Sequence, residues 1–286
     1  MWASWPPSIH APPAWPPVAD SGPTSLSIAQ LFEEIDLVVF DKDGTLIDFR
    51  EMWAPWFDEL ARRLTAAAGA NVRDELWRAM ADDPASGETL PLGAVAGTTN
   101  ERMWEITIGV VAEIIGDRAR AEDVTAEVWF LPDPVTSART LADLPALFGN
   151  LHDSGRTVGV ITADDRLPTE RTLAAFGVGA AVDALVCGND GLPNKPAPDT
   201  LLHACSLVGV DPRRAAMIGD MPGDLLMARN AGAGVSIGVL SGAGRREILE
   251  PLAHLLLPSI GVIADVFRSD RRALAQPLGE PGPPRS

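Results

Sequence analysis

Asp41-Lys42-Asp43-Gly44-Thr45 sets two carboxylates two residues apart, directly after the mainly apolar run Ile35–Phe40. An extended backbone points Asp41 and Asp43 to the same side. Such a pair at the end of a buried segment is costly unless it binds a cation or divides acid and base work. Gly44 allows a sharp turn and bares backbone N–H groups toward an anion. A calcium loop of the EF-hand type is excluded, because its third acid would fall on Thr45 and its glycine on Leu46. Taken alone, the motif leaves a plain acidic turn open.

Further groups recur along the chain in the same setting. Thr162 ends the apolar run Thr157–Ile161, Lys195 lies in Asn194–Asp199, and Asp220 and Asp224 follow Ala215–Gly219. Phosphoryl transfer asks for such a set. One carboxylate attacks phosphorus and a second passes a proton to the leaving oxygen. A divalent cation, an ammonium and hydroxyl donors hold the phosphoryl oxygens.

The elements that must carry these groups are short runs, apolar on both faces and bounded by turn residues, as buried parallel strands are. They are Ile35–Phe40, Thr157–Thr162, Asp183–Cys187, Ala215–Gly219 and Val235–Leu240. Helical patterns at about 137–153, 168–176, 198–208, 223–231 and 244–251 alternate with them, which predicts an open α/β sheet with its site at the carboxyl ends of the strands. Residues 48–133 break the alternation with helical patterns only, at about 51–69, 72–82, 100–116 and 121–130. Thr98 with Glu101 reads as a capping box for the third of these. The α/β core is thus expected at 31–47 and 134–267, with an all-helical cap at 48–133 inserted between.

The chain has 286 residues and a formal net charge of −16, which argues against general affinity for nucleic acid or anionic membranes. No apolar stretch is long and unbroken enough to span a bilayer. Two cysteines exclude a disulfide framework; with no basic-then-apolar leader at the N-terminus, a cytoplasmic setting is expected. Residues 1–30 hold two Trp-Pro-Pro triplets and read as a disordered Pro/Trp-rich extension, or alternatively as a docking segment for an aromatic-lined groove. Residues 268–286 read as a disordered tail. Of the 23 basic residues only Lys42 and Lys195 are lysine. Lys42, between the paired acids, reads as a structural side chain beside the strand.

Taken together, the motifs in order resemble the haloacid dehalogenase superfamily, and within it the phosphoglycolate-phosphatase-like branch with a helical cap after the first motif. The resemblance covers roughly 33–265. It implies a Rossmann-like open parallel sheet and a Mg²⁺-dependent phosphatase acting on a small phosphorylated metabolite through an aspartyl-phosphate. By the same resemblance Asp41 is the nucleophile and Asp43 the general acid and base, with its backbone carbonyl on the metal. Gly44, Thr162 and Lys195 bind the phosphoryl group, and Asp41, Asp43, Asp220 and Asp224 hold Mg²⁺. A phosphosugar mutase shares the paired acids and the cap, and a non-catalytic binding or regulatory protein could share the fold. Phosphonate hydrolases use a cap lysine, and residues 48–133 contain none. Substrate choice is expected near Arg50, Trp53, Trp56 and the loop Ala163-Asp164. That loop departs from the commoner Asn-containing form, which puts strict phosphoglycolate specificity in doubt. Each Trp has the alternative of filling a helical core, and Arg50 that of a solvated surface side chain.

Overall fold

The structure is a computed structural model that describes residues 25–81, 95 and 99–274. The Trp-Pro-Pro triplets lie outside the described residues. Six parallel strands form one sheet in the order β3-β2-β1-β4-β5-β6. They are β1 Leu37–Phe40, β2 Thr157–Ile161, β3 Ala184–Val186, β4 Ala215–Gly219, β5 Val235–Val239 and β6 Leu255–Leu257. Every residue of β1, β4 and β5 is buried, as strands covered by helices on both faces must be. The sixth strand was not among the expected ones: Leu255–Leu257 is very short and sits inside a longer apolar stretch whose pattern does not separate strand from helix.

In chain order the helices are α1 Ser25–Leu31, α2 Phe49–Ala68, α3 Arg73–Ala81, α4 Asn100–Ile115, α5 Arg118–Val128, α6 Pro134–Ser137, α7 Leu144–Asp153, α8 Arg166–Ala175, α9 Asp199–Val208, α10 Pro222–Ala231, α11 Arg246–Leu249 and α12 Gly261–Leu274. Local chemistry sets several ends away from their expected places. The N-cap of α4 is Thr99, whose hydroxyl accepts from the Arg102 N–H, not Thr98. Asp117 caps α5, which therefore begins at Arg118 rather than 121. Asp143 caps α7, so the helix expected from 137 starts at Leu144, and α6 is a separate turn before it.

Both ends of the core extend into segments expected to be tails. Helix α1 starts at Ser25, and Ile28 and Phe32 are fully buried. Helix α12 runs to Leu274 rather than stopping at 267. Phe32 meets the edge of Phe267 with ring centroids 5.4 Å apart, and the Arg156 guanidinium covers the same ring at 5.2 Å. Arg156 also donates to the Phe32 carbonyl at 2.7 Å. Both ends thus close one side of the sheet.

Helices α2 to α5 form the cap around their own apolar cluster, which includes Trp56, Phe57, Leu60, Leu64, Met103 and Val111. The linkers in and out of the cap run side by side: Asp48 N–H donates to the Arg139 carbonyl at 2.8 Å, and Leu141 N–H donates to the Leu46 carbonyl at 2.9 Å. Cap and core meet where Met221 and Ala243 join the cap cluster.

Phe32→Ala removes a fully buried ring from the seam between α1 and α12. It is expected to destabilise the protein by about 3–5 kcal/mol, read by urea denaturation. A loss close to zero would return this segment to the status of a tail.

Candidate active site

The register of the sheet assembles the site. Phe40 of β1 lies beside Val160 of β2 and Ile218 of β4. The chain leaving β1 therefore has Thr162 on one side and Asp220 on the other. This is the switch point of the strand order, where α/β sheets open a crevice. Asp41 continues the ladder by one bond, its N–H donating to the Ile218 carbonyl at 2.9 Å. The chain then turns: Leu46 and Ile47 N–H groups both donate to the Lys42 carbonyl, and Gly44 N–H donates to the Ile47 carbonyl. Gly44 has φ +84°, and a Cβ there would stand 2.5 Å from Asp220 Oδ2. Glycine is required on both counts.

Lys195 stands between two carboxylates. Its Nζ lies 2.6 Å from Asp41 Oδ1 and 2.6 Å from Asp224 Oδ1, and it also donates to the Ile161 carbonyl at 2.9 Å. Its loop is tied to α10, where the Asn230 amide donates to the Pro196 carbonyl at 2.9 Å. Asp224 is fixed in turn at the start of α10, its Oδ2 accepting the Met221 N–H at 3.1 Å. Asp220 accepts the Thr45 hydroxyl at 3.2 Å and the Ala243 N–H at 2.9 Å. Thr162 is buried, and its Oγ accepts the Asp164 N–H at 3.1 Å. Its own hydroxyl proton is then directed elsewhere, as a donor to an anion requires.

Burial dominates the acid–base state of these groups. It pushes the Asp41 carboxyl up to about 7 against the pull of Lys195. Asp43 is raised to about 6, mainly by burial and against Lys42. Asp220 is raised well above the usual range by burial and by Asp41 and Asp224. Burial works against the Lys195 ammonium, but Asp224 and Asp41 outweigh it and hold its pKa above normal.

Asp41, Asp220 and Asp224 can each bring a carboxylate oxygen within 4.8 Å of the others, and all are buried. Hard oxygen donors crowded together in this way suit Mg²⁺, so the acids fit the group that the motifs imply. The Asp43 side chain is not in this cluster. Its Oδ1 instead lies 2.6 Å from Lys42 Nζ.

The expected specificity residues divide. Trp53 and Asp164 both line a cavity of about 240 Å³ between cap and core, with Met52, Asn100, Pro168 and Arg171. Trp56 does not line this cavity: it packs edge-on against Trp53 and Trp129, and its indole N–H donates to the Phe130 carbonyl at 2.7 Å. Core filling holds for Trp56. Ala163 is half-buried on the Thr162 loop, its carbonyl pressed against Gly188, where a Cβ would come within 2.0 Å. Arg50 falls in the first turn of α2, and its side chain lies outside the described residues.

Sequence reasoning missed several contributors. Lys42 is a buried side chain beside the strand, as expected, but its second partner was missed: at 1% exposed it also lies 3.0 Å from Asp164 Oδ2. The loop Ser241–Gly244 closes over Asp220: Ser241 donates to the Gly44 carbonyl at 2.7 Å, and a Cβ on Gly242 would stand 1.9 Å from Asp220 Oδ2. Its small-residue run after β5 was the available signal. Asn100 of the cap reaches the core, its amide donating to Asp165 Oδ2 at 3.4 Å. Among the described residues its Oδ1 is buried without a partner.

A family model for haloacid dehalogenase-like hydrolases matches residues 35–232. The chain belongs to this family. It is 29% identical over 199 residues to a phosphoglycolate phosphatase of Cupriavidus necator, covering 68% of this chain and 77% of that protein. To an N-acetylmuramic acid 6-phosphate phosphatase of Pseudomonas aeruginosa it is 27% identical over 197 residues, covering 68% and 77%. Among solved structures, a β-phosphoglucomutase of Clostridium difficile superposes with a TM-score of 0.53 at 16% identity, covering 83% of this chain and 99% of that one. That last likeness is one of fold.

Membership in the hydrolase family and the raised carboxyls together give a test for the metal. An unfolded Asp titrates near 3.8, and Asp41 and Asp220, both in the acid cluster, titrate higher when folded. In metal-free protein these groups favour folding at low pH. Their contribution is lost as pH rises from about 4 through about 7. A cation that binds the ionised oxygens offsets the loss. Mg²⁺ should therefore raise Tm more at about pH 8 than at about pH 5.5 in paired thermal melts. An equal or smaller shift at the higher pH would count against these acids as metal ligands.

Proposed function

We propose that the chain is a Mg²⁺-dependent phosphatase that hydrolyses a small phosphorylated metabolite, of the phosphoglycolate or sugar-phosphate kind, through an aspartyl-phosphate on Asp41. That it is a phosphoric monoester hydrolase rests on its family and on relatives named as phosphatases. The observation that carries the finer reading is the Asp41–Lys195–Asp224 triad at 2.6 Å spacings beside Asp220 and Thr162.

Asp41 attacks phosphorus. The bond from its Oδ to phosphorus forms as the bond to the leaving oxygen breaks, and that oxygen takes a proton from Asp43. Water then attacks the phosphorylated Asp41, gives its proton to Asp43 and releases phosphate, restoring the Asp41 carboxylate. Two anions must approach within a few Å in a desolvated site, where their repulsion is large. The Lys195 ammonium sits where it screens them, and the Thr162 hydroxyl donates to a phosphoryl oxygen. Gly44 supplies close backbone approach. Bound at Asp41, Asp220 and Asp224, with the Asp43 carbonyl, Mg²⁺ would supply further neutralisation of the transferring group. The cavity at Trp53, Asn100, Asp164 and Arg171 receives the leaving group. Its size, below the roughly 300–1,000 Å³ of drug-sized sites, suits a small metabolite. The Asn100 Oδ1 asks that metabolite for a hydroxyl or N–H donor.

With p-nitrophenyl phosphate, release is expected only in the presence of Mg²⁺, and Asp41→Asn should lower kcat roughly 10³-fold or more. Lys195→Met should lose comparable activity while keeping the fold by circular dichroism. Near wild-type turnover by Asp41→Asn would remove the nucleophile assignment. A screen of phosphorylated metabolites then names the substrate: free phosphate from a hexose phosphate supports hydrolysis, and conversion to an isomer supports the mutase alternative. Metal-dependent turnover of any of these compounds argues against a non-catalytic role.

A further inference from the structure

Lys42 is one of the largest fully buried side chains. Its Nζ lies 2.6 Å from Asp43 Oδ1 and 3.0 Å from Asp164 Oδ2. A buried ammonium is retained only where anions compensate it, and here the anions come from two different loops. Asp43 belongs to the turn after β1, and Asp164 to the loop after β2. Asp164 is in addition a wall of the cavity between cap and core. An ammonium, with three donors on a compact centre, can bridge two carboxylates set at an angle to each other; a planar guanidinium fits such a pair poorly.

The bond also selects one oxygen. With Oδ1 of Asp43 held by Lys42, Oδ2 is left to carry the proton that the leaving oxygen receives. We propose that Lys42 is a positioning residue for proton transfer: it ties Asp43 through Asp164 to the wall of the leaving-group cavity, so that Oδ2 faces the leaving oxygen. The inference rests on the phosphatase reading above. It adds a role for a residue that touches neither the phosphoryl group nor the acid cluster of Asp41, Asp220 and Asp224. The step itself is unchanged: the phosphorus–oxygen bond breaks, its electron pair stays on the leaving oxygen, and that oxygen takes the Asp43 proton.

Two probes of similar shape separate positioning from plain structural support. Phenyl phosphate has a basic leaving oxygen that needs a proton, whereas p-nitrophenyl phosphate departs readily as the anion. The reading is kcat/KM, which reports the first phosphoryl transfer for both. Lys42→Met should lower kcat/KM on phenyl phosphate at least about tenfold more than on p-nitrophenyl phosphate, within the range that general acid catalysis supplies. Asp164→Asn leaves the Lys42–Asp43 contact and loosens only its tether, so it should shift the same ratio in the same direction by less. A structural role would lower both substrates equally. An unchanged ratio in both variants overturns the inference. If Lys42→Met does not fold by circular dichroism, Asp164→Asn decides alone. A wild-type protein inactive on both probes overturns the phosphatase reading and this inference together. An active wild type with an unmoved ratio overturns only this one.

Discussion

The site depends on one electrostatic arrangement: the Lys195 ammonium held 2.6 Å from both Asp41 and Asp224. Removing a single partner from a buried ion pair strands the other charge, which costs several kcal/mol. The arrangement therefore constrains three separate segments at once. Asp41 must leave β1 in ladder register, α10 must start at Pro222 so that Asp224 sits in its first turn, and the Lys195 loop must be pinned from outside. The Asn230–Pro196 bond does the last of these. The sheet and its neighbouring helices can be understood as the frame that keeps these charges at contact distance.

The same logic explains why small residues gather around Asp220. Its carboxylate is buried and flanked by acids, so it can persist only with donors aimed at it and little room between. Thr45 and the Ala243 N–H are those donors, and Gly44 and Gly242 allow their loops to close on it. A side chain at either glycine would stand inside the carboxylate's contact shell. Precise placement of the acid is thus achieved by backbone approach and not by side-chain packing.

The core and the motif residues were legible in the sequence because the constraints on them are local and chemical. An apolar run ending in an acid is unusual, and it recurs at Asp41 and Asp220. Thr162, Lys195 and Asp224 keep their order relative to the strands. The missed parts depend on tertiary contacts. Helix α1 is amphipathic only over a few residues, and its burial is decided by Phe267, far along the chain. Leu255–Leu257 becomes a strand because Ile237, Gly238 and Val239 pair with it, not because its composition says so. Trp56 and Trp53 lie close together in one sequence pattern, yet only Trp53 reaches the cavity, because the Phe130 carbonyl claims the other indole. Lys42 looked like a filler side chain because its partner Asp164 is remote in sequence.

The distribution of lysine acquires a physical sense from this. Both lysines of the chain lie among the acids at the strand ends, while Arg171 lines the neighbouring cavity between cap and core. Each is buried between two carboxylates: Lys195 between Asp41 and Asp224, Lys42 between Asp43 and Asp164. A compact ammonium can sit between two acids where a planar fork would force them apart. Asp220 is the acid with no lysine of its own. Fully ionised, these five carboxylates exceed the two ammonium groups by three negative charges. Burial disfavours every one of these charges and is the main cause of the upward shifts of Asp41, Asp43 and Asp220, to which the neighbouring acids add. A divalent cation beside Asp220 would remove most of the excess and let Asp41 ionise, as the proposed nucleophile must. Asp43, outside that acid cluster and held at Oδ1 by Lys42, could still take up the proton its proposed role requires. On the proposed mechanism, the separation of the two lysines divides the site into a half that carries charge and a half that moves a proton.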